Sequence, residues 1–553
     1  MLRLVASTVG PVTVAAGASA ATQTVEAYNA ADGSLSLSLA SSVSWIAPTV
    51  GAPRNCTSTT AASACIPLQF ALNTGSLAAG MYTGVVTVTD AGSNTVDAPQ
   101  TITVTVQVGS AVPSSMNVYA APGTVTDTSV ATNNSNMIGR ATTSDGNNWL
   151  SLALTSSGSF LFSYSYRIRI APQGGNTAGN TYTGTLVTSG SSFAADNKSI
   201  PVTMQVTTQP IAQASTALVS MRLAQGAVPE PGYVSLANLG QGTLTAQSVS
   251  STGQGFTAAL SGNLAVLTFD PGSLSPGDYP GSVTIASNAA NGNITVPVDF
   301  QVVSKGSPYI PYQGILDDAI FKAGDAVSPG DIVALFGEQL LFEAATPLQA
   351  APLPTKLGST PTQVFVNGEA APLYFASYSQ INFQIPTDIP TGTATVQVKR
   401  GDGTASNLAS VQIASRAPRV LTLDGTYGAI VNQDFSLPLP TGTFGAFQTH
   451  PAHVGDALTI YAIGMGPTSP SVASGAPAPS GTLATLTATP TVIFGSGIVT
   501  VQATPFFAGL TPTAAGLYQV NVIIPPGVPT GATVPISLAF PDSLSNAAAI
   551  AIQ

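Results

Sequence analysis

The chain reads as an all-β protein built from tandem β-sandwiches, and three observations carry that reading. Stretches such as Gly84–Thr89 (GVVTVT) and Thr101–Val108 (TITVTVQV) alternate β-branched and small polar residues at period two, the pattern of strands buried on one face. Turn clusters (SPGD, NTAGN, TDIPTG) separate these runs, in a sequence holding 54 Gly and 42 Pro. The same strand-and-turn signatures recur at long period along the 553 residues, as in arrays of repeated units. Helical periodicity is nearly absent, and only Asp317–Lys322 reads as one short helical turn.

Composition narrows the function. Charged residues make up 7% of the chain, against roughly 25% in an ordinary soluble domain. With 14 Lys+Arg against 24 Asp+Glu, a net charge of −10, the chain lacks the basic footprint that nucleic acid or anionic lipid requires. The 44% of hydrophobic residues can bury real cores, so charge-rich disorder is excluded as well. Nowhere do about 18 apolar residues run together, so no transmembrane helix is expected.

From the N-terminus onward, Met1 runs straight into strand-like sequence with neither a basic nor a continuous apolar leader region; an export signal is expected to lie outside this sequence. Cys56 and Cys65, the only cysteines, bracket the polar loop NCTSTTAASAC. A disulfide there closes a short loop and stabilises it by roughly 2.5–3 kcal/mol on the chain-entropy model; the alternative is two free thiols. So close a pair, in a Thr/Ser-rich β protein, fits an oxidising compartment. The expected location is extracellular or at the cell surface.

Three N-terminal units share a Gly-x(1–2)-Tyr-x-Gly strand start: Gly80-Met-Tyr82-Thr-Gly84, Gly179-Asn-Thr-Tyr182-Thr-Gly184 and Gly277-Asp-Tyr279-Pro-Gly281. Trp45 and Trp149 precede the first two, and Phe256 takes the comparable place in the third. Each unit is expected to be a sandwich of about 100 residues with this aromatic at its centre and the Tyr hydroxyl reaching a nearby partner. A different repeat follows the linker Ser304–Pro311. Ser328-Pro-Gly-Asp331 is echoed by His453-Val-Gly-Asp456, Pro361–Gly368 by Pro490–Gly497, Ile381–Gly392 by Val520–Gly531, and Ser406-Asn407 by Ser545-Asn546. Four matches in one order mark a duplication, with an insertion around Pro512–Gly516 in the second copy. The expected units are 1–109, 110–208, 209–305, 306–416 and 417–553.

The runs GDALTIYAIGMGP and FAGLTPTAAGLYQVNVIIPPGVPTG, followed by a closing SN-strand, resemble the Solibacter-type uncharacterised C-terminal domain family, over about Pro308–Gln553. The resemblance implies two immunoglobulin-like units of the IPT/TIG sort and a place at the C-terminus of large exported bacterial proteins. The first three units are more loosely similar to BACON-type bacterial immunoglobulin-like repeats, through W-I-A-P and the Gly-Tyr-Gly start; modules of that kind are often proposed to bind carbohydrate. Together these imply a tandem array of five immunoglobulin-like β-sandwich domains. The family brings no catalytic residues to carry over.

The residues themselves offer little chemistry. His450 and His453 form an H-x-x-H, but Pro451 forbids the helix that a metalloprotease site needs and no Glu base is near. No G-x-S-x-G elbow, P-loop or CxxC occurs, and no enzyme activity or cofactor is expected. Asp317, Asp318, Asp325 and Asp331 cluster near the junction of the third and fourth units and are weak candidates for a calcium site; otherwise Asp331 and its copy Asp456 cap turns. Tyr164 and Tyr166, and Tyr374, Phe375 and Tyr378, are the candidates for a sugar-stacking platform, or else belong to the core.

The expected function is an exported structural protein, a rod of sandwiches that self-associates into a filament or surface assembly, because a hydroxyl- and amide-rich surface does little to repel other copies. Its partners are other copies or cell-surface components, with no nucleic acid and no membrane insertion. The alternative is a cell-surface adhesin or carbohydrate-binding array with polysaccharide as partner. The closing strand Ala547–Ile552 is a candidate to complete a neighbour's sheet.

Overall fold

A computed structural model describes residues 1–58, 64–92, 95–132, 138–156, 164–189, 193–445 and 447–553. The chain falls into two compact units, Met1–Gly92 with Gln100–Ser304, and Ser93–Pro99 with Lys305–Gln553. The described residues form ten sheets, and every sheet draws its strands from one of the five intervals expected above, two sheets to each. One helical turn is described, Ala194–Asp196. Asp317–Lys322 is not helical: Ile315–Asp317 is a strand, and the Asp317 carboxylate then accepts from the Ala319 and Ile320 amides at 3.0 and 2.7 Å. That closes an Asx-type turn in place of a helix.

In the first unit, each sandwich sets a strand near its start parallel to its closing one: Thr8–Val14 with Gln100–Val108, Met116–Ala120 with Lys198–Val206, and Val219–Ala224 with Ile294–Val303. The remaining pairings in these sheets are antiparallel, as in immunoglobulin-like sandwiches. The repeated motif explains the cores. Trp45, Trp149 and Phe256 are 8%, 0% and 7% exposed, and the second glycine of each motif makes room for them. A Cβ on Gly84 would lie 3.3 Å from the Trp45 ring, one on Gly184 3.2 Å from Trp149, and one on Gly281 2.7 Å from Phe256. Phe256 therefore does occupy the tryptophan's place. Phe269 and Phe300 supply the missing bulk, with ring centroids 5.4 Å (Phe256–Phe269) and 5.3 Å (Phe269–Phe300) apart. The tyrosine hydroxyls tie down the turn before the strand: Tyr82 donates to Ala78 O at 3.1 Å and Tyr279 to Ser275 O at 2.8 Å.

In the second unit the duplication is repeated bond for bond. Asp331 accepts from the Ser328 amide and Asp456 from the His453 amide, which is the turn-capping role. Ser406 accepts from the Val398 amide and Ser545 from the Leu538 amide. Asn407 pairs its amide with both backbone groups of Ile310, and Asn546 does the same with Val420. Val327 bridges Ile413 in parallel, as Ala452 bridges Ile552. Each Asn thus uses its side chain as a length of strand that clasps the segment leading into its own sandwich. The inner faces of the two sheets in each copy close over separate apolar cores, one around Phe383 and Leu373 and one around Phe494 and Ile460.

Candidate functional site

The densest polar chemistry lies within the second unit, where the fourth and fifth sandwiches meet. Arg419, on the short strand Arg419–Val420 that opens the fifth sandwich, reaches into the fourth. Its guanidinium lies 2.9 Å from Asp325 Oδ2 and 3.8 Å from Asp317 Oδ2, with side-chain exposures of 12%, 24% and 1% for Arg419, Asp325 and Asp317. Lys322 adds a second cation to Asp325 at 3.0 Å. Of the four carboxylates named as calcium candidates, Asp317 and Asp325 face the Arg419 guanidinium, while Asp318 is bonded to Asn382 and Asp331 to the Ser328 amide. Among the described residues no group of three or more His, Cys, Asp or Glu is placed to hold a metal.

Asp331 is fully buried beside this pair. Burial pushes its carboxyl well above the usual range, and the nearby Asp317 adds to the effect. The space it fills exists because Gly464 has no Cβ; one there would lie 2.9 Å from Asp331 Oδ2. Asp318 accepts from Asn382 Nδ2 at 2.9 Å, and burial raises its carboxyl to about 6.

Around these acids runs a seam of bonds from one sandwich to the other. Gln384 donates to Gly330 O and accepts from the Gly475 amide at 2.6 Å. The Leu353 amide donates to Gly475 O, the Thr387 amide to Ser474 Oγ, and the Tyr374 hydroxyl to Ala515 O. The insertion seen in the second copy forms much of this seam: Ala515 receives Tyr374, and Gly516 (φ +66°) leaves room for Gly330 O and Gln384 Nε2, each 2.9 Å from where its Cβ would stand. Beside the seam lies a cavity of about 680 Å³ lined by Gln384, Thr387, Asp388, Ser415, Arg416 and Tyr518, among others. Tyr518 donates to Gly466 O at 2.7 Å, and burial raises its hydroxyl pKa.

The sugar-platform candidates fare differently. Tyr378 is 1% exposed and packs edge-on against Phe342. Tyr374 is half-buried; its hydroxyl is used at the seam, and burial raises it to about 12. Phe375 is half-buried. The three do not form an exposed row: Tyr378 is core, Tyr374 is used at the seam and Phe375 is half-buried. Tyr164 and Tyr166 lie on the strand Tyr164–Ile170, with side chains outside the described residues. Cys56 and Cys65 form a disulfide. His450 lies against Asp434 Oδ2 at 3.0 Å and Ser436 Oγ at 2.8 Å, and donates from Nδ1 to Pro451 O; the Pro451 carbonyl and then Asp434 raise its pKa. His453 lies apart from this group, 3.5 Å from Asp456. The terminal strand Ala548–Ile552 is not an open edge. Thr426, Gly428, Pro438 and Ala452 already bond its outer side, so it has no free backbone to lend a neighbour.

Sequence reasoning found the acids of the seam and missed Arg419, Gln384 and Tyr518. The visible signal for Arg419 was a cation in a charge-poor chain, standing beside an otherwise apolar strand (PRVLTL).

The fold defines a tandem array of immunoglobulin-like β-sandwiches. No protein-family description matches the chain, and no curated protein matches it. Among solved structures it is similar to the I67–I69 fragment of titin (14% identity, 54% of this chain and 96% of that one, TM-score 0.15). It is also similar to the human desmocollin-1 ectodomain (10% identity, 74% and 79%, TM-score 0.16). A third is an endo-fucoidan hydrolase of glycoside hydrolase family 107 (12% identity, TM-score 0.16), where the match covers 53% of this chain and 42% of that one. At TM-scores this low, none of the three bears on what this chain does.

Proposed function

We propose that this chain is an exported structural protein whose immunoglobulin-like array associates with other copies of itself at the cell surface or outside the cell. The observation that carries the reading is a surface of hydroxyls and amides in a chain with only 7% charged residues, where natural β proteins ordinarily guard their open edges with charge. The disulfide supports export, since such bonds persist in oxidising compartments. The seam between the fourth and fifth sandwiches supports a mechanical role, because paired charges and side-chain bonds resist bending of that joint. Membership of the C-terminal pair in the Solibacter-type family is part of the proposal and rests on the sequence motifs.

The alternative, an adhesin or carbohydrate-binding array, has one observation in its favour. The cavity beside the seam is lined mostly by apolar surface, with the polar groups of Gln384, Thr387, Asp388, Ser415 and Arg416 set into it, as small-ligand sites commonly are. Negative-stain microscopy and sedimentation velocity of the full chain across a concentration range decide between them. Filaments, lattices or growing oligomers support self-association. Isolated particles at every concentration refute it and direct the work to glycan screening.

A further inference from the structure

We infer that the edge strand Val499–Ala503 of the fifth sandwich is the surface through which two copies of this chain pair, edge to edge and antiparallel about Val501. This inference rests on the self-association proposed above and names its contact.

The strand belongs to the sheet whose order runs Val499–Ala503, Thr491–Ser496, Gly531–Ala539, Ala548–Ile552. It pairs on one side, with Thr491–Ser496, from Ser496↔Val499 to Val492↔Ala503. Among the described residues its other side has no backbone partner. A row of free N–H and C=O groups is a ready surface for another strand.

The neighbouring edges are guarded. The opposite edge of the same sheet is covered by Thr426, Gly428, Pro438 and Ala452. In the fourth sandwich the matching edge is cut to two residues, Glu369–Ala370, and carries a charge. The duplicated copy has instead grown this strand to five residues, VTVQA, with no charge, no proline and no bulge. Ile498, in the turn leading to it, is fully exposed, and Val499 is 54% exposed.

The occupant follows from the charge pattern. A strand without charge can face its own copy across a two-fold axis with no like charges opposed; the uncharged edges Leu37–Ser41, Met116–Ala120 and Phe256–Ser261 lack the exposed apolar side chains that Ile498 and Val499 present here. Antiparallel pairing centred on Val501 sets Val499 opposite Ala503 and Thr500 opposite Gln502 of the second copy. Pro505 then ends the register. The contact is isologous, as a closed pair requires.

Sedimentation velocity of the full chain tests this. Thr500 and Gln502 are exposed, so Thr500→Lys with Gln502→Lys leaves the fold intact and opposes lysines across the axis. Self-association should weaken at least about tenfold, and Thr500→Glu with Gln502→Glu should weaken it likewise. Mixing the lysine and glutamate variants should restore pairing. If either variant associates as tightly as the parent, or the mixture stays apart, the edge assignment is overturned while self-association stands. If the parent chain itself never associates, both readings fall.

Discussion

Replacing Arg419 tests whether the seam holds the last two sandwiches together. Arg419→Gln removes the positive charge from Asp317, whose side chain is 1% exposed, and from Asp325 at 24%. At the 3.8 Å separation of Arg419 and Asp317, two unit charges in an effective dielectric of about 20 interact by about 4 kcal/mol. Measured losses on breaking one partner of a buried pair are about 3–5 kcal/mol. For a unit of this size each kcal/mol moves the transition by about 2–4 °C, so the expected fall is about 10 °C. The readout has a control built in. Both tryptophans, Trp45 and Trp149, lie in the first unit, so tryptophan fluorescence reports that unit and not the seam. Calorimetry should show an endotherm moving down by about 10 °C while the fluorescence transition stays fixed. Adding Asp317→Asn should recover part of the loss, because the stranded carboxylate is then gone. An endotherm that moves by less than about 2 °C, or both transitions moving together, would refute the account of the seam as a charge clasp.

Three further outcomes are expected. Asp318 has its folded pKa raised from the ordinary carboxylate value to about 6; its contribution to stability is full below about pH 4 and lost as pH rises through about 6. Asp318→Asn should therefore flatten the stability of the second unit between pH 4 and 7 and raise it above pH 6 by about 3 kcal/mol, read from urea midpoints. Gly281→Ala should cost more than Gly84→Ala, about 3 against about 1–2 kcal/mol. The first Cβ would lie 2.0 Å from the Thr252 carbonyl, which is backbone, whereas the second meets only the side-chain atoms of Val43, Ile46 and Trp45; equal losses in chemical denaturation would refute this. Reducing Cys56–Cys65 should lower the stability of the first sandwich by about 2.5 kcal/mol, followed through Trp45 fluorescence in a Trp149→Phe background.

Much of the fold was legible because local signals and tertiary demands coincide in it. Alternation at period two marks a strand with one buried face whatever it packs against, so Gln100–Val108 and Lys198–Val206 were readable as strands. The Gly-Tyr-Gly start was readable because the glycine, the tyrosine hydroxyl and the central aromatic answer to one sandwich, and Phe256 could be assigned to the tryptophan's place from its position in that pattern. The Ser-Asn pairs marked the closing strands of the duplicated copies, although their clasp on Ile310 and Val420 was not foreseen. Where several elements compete for one residue, the sequence left alternatives open. Asp317 looked like part of a helical turn or an ion ligand, and became a turn cap facing an arginine about 100 residues away. Tyr374 and Tyr378 were open to a platform or to the core, and became a seam bond and core.

By itself, then, the sequence determined the all-β class, the two kinds of repeat, the duplicated motifs and the cysteine loop. Each of these depends on neighbours close in the chain or on a repeated pattern. Only the tertiary structure decided which carboxylates meet Arg419, that the Pro512–Gly516 insertion builds the joint, and which sheet edge is left open. The physical reason is common to all three. Burial and pairing depend on distances between residues far apart in the chain, and no local pattern encodes which remote group arrives to neutralise a charge or cover a strand.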